Sequence, residues 1–157
     1  YVGHLWNPFF IEGTKNIAFE LWEQLKRQPS AVVVPASAGT LLLGLFKGFQ
    51  ELLQLNIIDC IPRLYAVQAS GTTPLYEALY KAKPSTPPSL LADALKVSNP
   101  PRLEMMAKAV SSTGGAVAVA EDSDRRETLC VIRRSVPAPS WGTVGHLASR
   151  CRQPFTG

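Results

Sequence analysis

The chain has 157 residues, 46% hydrophobic and 18% charged, which suits one domain with its own core and excludes a disordered chain. No apolar run reaches the roughly 18 residues that span a bilayer, and the opening residues lack a basic n-region, so neither a membrane helix nor a signal peptide is expected. The net charge of +4 is uneven: residues 1–124 hold ten Lys and Arg against eleven Asp and Glu, whereas residues 125–157 hold six Arg against Glu127 alone. That basic stretch has no apolar period to set its charge on one face, so nucleic-acid binding is not expected.

Residues 1–13, rich in Gly, Asn, Pro and aromatics, read as a loop. Thr14 is the candidate N-cap of a helix in which Ile17, Ala18, Leu21, Trp22 and Leu25 recur at helical spacing, and Pro29 ends it. The β-branched run Ala31-Val-Val-Val-Pro35 predicts a strand buried on both faces. The small residues Ala36-Ser37-Ala38-Gly39-Thr40 then form a turn. Leu41, Leu42, Leu45, Phe46, Phe49, Leu52 and Leu53 mark an amphipathic helix. Arg63 to Gln68 is a second strand, so 31–68 is a strand–helix–strand unit with a parallel, right-handed crossover as the default. A short helix over 74–81, a Pro/Ser/Thr loop from Lys83 and a helical turn within 89–95 follow. A helix from about Pro101 to Thr113 is stopped by Gly114-Gly115, and Ala116 to Ala120 is a third buried strand. Beyond Asp124 neither period survives, and no structure is assigned. The expectation is α/β: a parallel, Rossmann-like sheet flanked by helices over 1–124, followed by an unassigned basic tail over 125–157.

The chain opens on Tyr1 without an initiator methionine, and a fragment of a longer protein is expected. Cys60, Cys130 and Cys151 share no C-x-x-C spacing and fit reduced thiols in a cytoplasmic protein.

The turn at 36–40 carries the chemistry. Small residues let backbone N–H groups close around a ligand, and a helix N-terminus adds partial positive charge and unpaired donors. Together they suit a phosphate, with Ser37 and Thr40 as hydroxyl donors. No Gly-Lys-Ser/Thr and no G-x-G-x-x-G is present, so this is neither a Walker loop nor a dinucleotide fingerprint. A parallel α/β unit also needs a tight turn here for purely structural reasons.

Asn7-Pro-Phe-Phe-Ile-Glu-Gly-Thr-Lys-Asn-Ile-Ala-Phe-Glu20 resembles the "NP-x-x-x-EG-x-K-x-x-A-x-E" stretch of threonine synthases. Val32 to Gly44 with Lys47-Gly48-Phe49, Pro62-Arg-Leu-Tyr-Ala-Val-Gln-Ala69, Leu91-Ala-Asp-Ala-Leu95, Asn99-Pro100 and Gly114-Gly-Ala-Val-Ala-Val119 match later family motifs in the same order, covering about residues 3–122. The resemblance implies the larger, C-terminal domain of the fold type II enzymes that use pyridoxal 5'-phosphate, incomplete here. It implies a lyase of amino-acid biosynthesis that converts O-phosphohomoserine, an amino-acid phosphate, and water to threonine and phosphate. It gives the cofactor-phosphate loop to Ser37, Ala38, Gly39 and Thr40. The family places Gly at the position of Ser37, so backbone strain is expected there. The lysine that forms the Schiff base falls in the family's earlier part. Lys15 and Lys47 are not its equivalents and read as solvated surface charges, so the chain holds no catalytic residue and is expected to be inactive alone.

Asn7 and Glu12 are substrate candidates, or else they cap local turns. His4 and His146 lie in no ligand motif, Asp122 and Asp124 fit a solvated turn, and no metal site is expected. The family's "VEPTSAA" segment has no match after Ser123. Ile132-Arg133-Arg134-Ser135 can be encoded so that a one-base shift reads Phe-Val-Glu, so the tail is read as out of frame, with a genuine basic tail as the alternative. The sequence reading is a cytoplasmic threonine synthase fragment, with a possible homodimer as the full-length enzyme and no nucleic-acid or membrane partner. Other fold type II enzymes (cysteate synthase, threonine or serine dehydratase) and a noncatalytic phosphate-binding module are the alternatives.

Overall fold

The computed structural model describes residue 3, residues 5–89 and residues 92–122. Its first helix, α1 (Phe9–Thr14), lies inside the stretch expected to be loop. The Asn7 side chain starts it, because Oδ1 accepts the Phe9 N–H at 3.0 Å. Thr14 is therefore no N-cap. It closes α1, and its hydroxyl donates back to the Phe10 carbonyl at 2.5 Å. Helix α2 (Asn16–Leu25) follows after Lys15 and ends where Lys26 turns left-handed at φ 52°, before Pro29 is reached.

Strands β1 (Ala31–Pro35), β2 (Arg63–Ala69) and β3 (Val117–Ala120) form a parallel sheet in the order β1-β2-β3. The register sets Val34 against Ala66 and Ala66 against Val117. These three residues share one face, and all are buried in the main core cluster. Helix α3 (Thr40–Gln54) packs over β1 and β2 on that face, and α5 (Leu103–Ser112) packs on β2 and α3. Leu42, Phe49, Leu64 and Met106 close the space between the layers, each 0% exposed. Burying four such side chains contributes roughly 1.5–3 kcal/mol apiece.

Burial on both faces fails for β1, where Val34 is 2% exposed but Val33 is 45% exposed. Among the described residues β1 is an edge strand. The pattern expected of β1 belongs to β2, the central strand, where all but Arg63 and Val67 are buried. Helix α4 (Pro74–Tyr80) is pinned to the sheet by polar contacts: Gln68 Oε1 accepts the Tyr76 N–H, and the Tyr80 hydroxyl accepts the Val117 N–H, both at 3.0 Å. One 3-10 turn, Asp93–Leu95, precedes α5. Cys130 and Cys151, two of the three cysteines expected to be reduced thiols, lie outside the described residues. Residues 123–157, and with them the tail and its proposed change of frame, lie outside the described residues.

All three strands end on one edge. The turn 36–40 leaves β1 there, Ser70 to Thr73 leave β2, and Glu121 and Asp122 follow β3. In open parallel sheets, ligands bind at this carboxyl edge.

Candidate functional site

The turn begins as a continuation of the ladder, with the Ala36 N–H donating to the Val67 carbonyl at 2.7 Å. There the pairing stops. Among the described residues no acceptor meets the N–H of Ser37, Ala38, Gly39 or Thr40. Gly39 is the N-cap of α3 at φ 87°, and its carbonyl accepts the Leu43 N–H at 2.9 Å. A glycine cap offers no side-chain oxygen, so the first N–H groups of the 15-residue helix stay unsatisfied. The first turn of α3 carries no acidic side chain that would compete for them. The Thr40 hydroxyl is buried and has no hydrogen-bond partner.

Gly39 is fixed from below as well. A Cβ there would lie 2.4 Å from Met106 Sδ and 2.7 Å from its Cγ. Met106, which the sequence placed only on a helix face, is thus the floor of the turn. The strain expected at Ser37 is absent: Ser37 is not among the residues with positive φ, and the left-handed position is Gly39. A serine is therefore tolerated where the family has glycine. Unpaired amides, a buried unpaired hydroxyl and a helix N-terminus free of carboxylates fit a phosphate monoester.

Asn7 and Glu12 are not joined to this turn by any hydrogen bond or ion pair among the described residues. The Asn7 side-chain Oδ1 accepts the Phe9 N–H, the local capping role that was the alternative. Glu12 sits in a chain of charges. It pairs with Lys47 on α3 and, at 3.0 Å, with Lys15, which in turn pairs with Glu51 at 2.9 Å. Lys15 and Lys47 are therefore not simply solvated charges; they fasten α1 and α2 to α3. Lys47 first, then Lys15, hold the Glu12 carboxyl below its ordinary value. Glu51 first, then Glu12, hold the Lys15 ammonium above its own. Glu12 and Lys15 are three residues apart, but Lys47 and Glu51 lie too far along the chain for local spacing to pair them with these two.

Among the described residues no cluster of His, Cys, Asp and Glu could hold a metal ion, and no helix is long and apolar enough to cross a membrane.

Residues 1–135 match the family model described as pyridoxal-phosphate dependent enzyme. The match runs into the start of the basic tail. The threonine synthase of Methanocaldococcus jannaschii is 35% identical over 133 residues, covering 82% of this chain and 33% of that protein. That of Methanosarcina acetivorans is 31% identical over 75% of this chain and 30% of its own length. The chloroplastic threonine synthase 2 of Arabidopsis thaliana is 28% identical over 79% of this chain and 25% of its own length. Among solved structures, maize serine racemase superposes with a TM-score of 0.53 at 23% identity, over 72% of this chain and 33% of that one. The likeness supports the fold, a parallel sheet flanked by helices of fold type II. The chain spans about a third of the length of the relatives first named.

Proposed function

Because this chain belongs to the pyridoxal-phosphate dependent enzymes, we propose that it supplies the cofactor-phosphate-binding part of a threonine synthase, a lyase converting O-phosphohomoserine and water to threonine and phosphate. The observation that carries the reading is the run of four unpaired N–H groups from Ser37 to Thr40 at the start of α3. The named relatives support the choice of reaction.

In this reading the amides of Ser37, Ala38, Gly39 and Thr40 and the Thr40 hydroxyl donate to the cofactor phosphate, and the positive end of α3 offsets its charge. Met106 holds Gly39 in place beneath it. The bound cofactor supplies an electron sink for chemistry at the substrate's carbon skeleton. The lysine that would anchor it lies outside this chain, while Lys15 and Lys47 are engaged by acidic partners. The chain alone is then inactive, and the whole enzyme is read as a cytoplasmic protein, with a possible homodimer and no nucleic-acid or membrane partner.

The test is turnover by the full-length protein. With cofactor and O-phosphohomoserine it is expected to release threonine and inorganic phosphate in equal amounts. Release of a 2-oxo acid and ammonia from threonine or serine, without turnover of the phosphate ester, would identify a dehydratase instead.

A further inference from the structure

Ser70 directly follows β2 and is 1% exposed, yet its Oγ has no hydrogen-bond partner. Its backbone is fully used: the N–H donates to the Ala120 carbonyl at 2.9 Å, and the carbonyl accepts the Ser89 N–H at 3.0 Å. The nearby carboxylate is engaged elsewhere, since Asp122 Oδ1 accepts from Ser89 Oγ at 2.5 Å. A buried hydroxyl left without a partner opposes folding, so native structures keep one where something else completes it.

The sheet places this hydroxyl. Along β2, Leu64 and Ala66 are 0% exposed and belong to the core cluster shared with α3 and α5, while Gln68, 2% exposed, turns its Oε1 to the Tyr76 N–H on α4. Pro35 pairs with Val67, whose carbonyl holds the Ala36 N–H. Ser70 therefore leaves β2 at the same carboxyl edge as the turn that leaves the neighbouring β1. Thr40 brings a second buried, unpartnered hydroxyl to the same edge. Two hydroxyls and four amides thus lack acceptors where two neighbouring strands end.

We propose that Ser70 Oγ is a further donor to the anion held by residues 37–40, so that the phosphate is bound from β2 as well as from the β1–α3 turn. This rests on the phosphate-binding reading of that turn. A phosphate monoester presents three strong acceptor oxygens and accommodates hydroxyls beside the amides.

The test uses the full-length protein and measures binding of pyridoxal phosphate, phosphate-free pyridoxal and inorganic phosphate. Ser70→Ala is expected to weaken pyridoxal phosphate and inorganic phosphate by about tenfold, the effect of one charge-assisted hydrogen bond, and to leave pyridoxal unchanged. The 31P resonance of bound pyridoxal phosphate should move. Without ligand, the variant should melt at or above the parent's temperature, because the lost hydroxyl had no partner, and the gain in melting temperature on adding pyridoxal phosphate should shrink. Ser70→Cys, similar in volume with a weaker donor, gives a second variant for the same comparison. Equal phosphate affinity in the parent and the Ser70 variant, with Thr40→Ala weakened, would overturn this proposal and leave the turn's role standing. Failure of the parent to bind phosphate would overturn both. A ligand-free Ser70→Ala protein melting several degrees lower would assign the hydroxyl to the fold and also overturn the proposal.

Discussion

Gly39 meets two demands at once: a backbone at φ 87° and a Cβ position already filled by Met106 Sδ. Gly39→Ala is therefore expected to cost about 1–3 kcal/mol through the left-handed backbone alone, with more from displacing Met106, and to weaken phosphate binding. Urea unfolding checks this, and an unchanged midpoint would contradict it. The pattern of small residues after a β-branched run made the turn legible in the sequence. Met106 was not legible as its floor, because that contact joins positions far apart in the chain. The charge chain gives a second prediction at this scale. Glu12 titrates below its ordinary 4.5, so its contribution is full above that value and is lost as pH falls through the lower folded value. Lys15 titrates above 10.5, so its contribution is full below that value and is lost as pH rises through the higher folded value. Glu12→Gln should thus lower the melting temperature at neutral pH, and the gap should close on acidification through the folded value, which lies below 4.5. A gap that is constant across pH would show that the pairs do not stabilise the fold.

Helix α3 lies between two layers, the sheet beneath and α1 and α2 above. Its upper face is cut by glycine: a Cβ at Gly48 would lie 2.4 Å from the Lys15 carbonyl oxygen and 2.6 Å from Ala18 Cβ. Intrinsic propensity favours alanine over glycine inside a helix by about 1 kcal/mol. Close packing here reverses the sign, and Gly48→Ala should destabilise by about 2 kcal/mol. A more stable variant in thermal unfolding would mean that α1 and α2 do not sit this close. The apolar periods of α2, α3 and α5 showed these helices in the sequence. The six residues of α1 were too short to show a period, and Pro8 beside the aromatic pair Phe9-Phe10 gave the reading of a loop. Thr14 carries the chemistry of a cap, and only the structure shows its hydroxyl bonded backward to Phe10. The exposed face of β1 was hidden for a related reason: a β-branched run reports strand propensity but not which faces are covered.

At the scale of the molecule, three parallel strands bring three connections to one edge, and the binding groups of this account come from two of them. The proposal of a phosphate site at the first could be made from the sequence because its candidate donors lie in consecutive residues next to a strong helix signal. Ser70 was not, since a lone serine after a strand acquires meaning only from its burial and its missing partner. The chain spans about a third of the length of its first-named relatives. Residues 37–40 are proposed to hold the cofactor phosphate. A crystal structure of the full-length protein with pyridoxal phosphate should place phosphate oxygens within about 3 Å of the amide nitrogens of Ser37, Ala38, Gly39 and Thr40. A phosphate bound away from this turn, with those four amides facing solvent or protein carbonyls, would contradict the account.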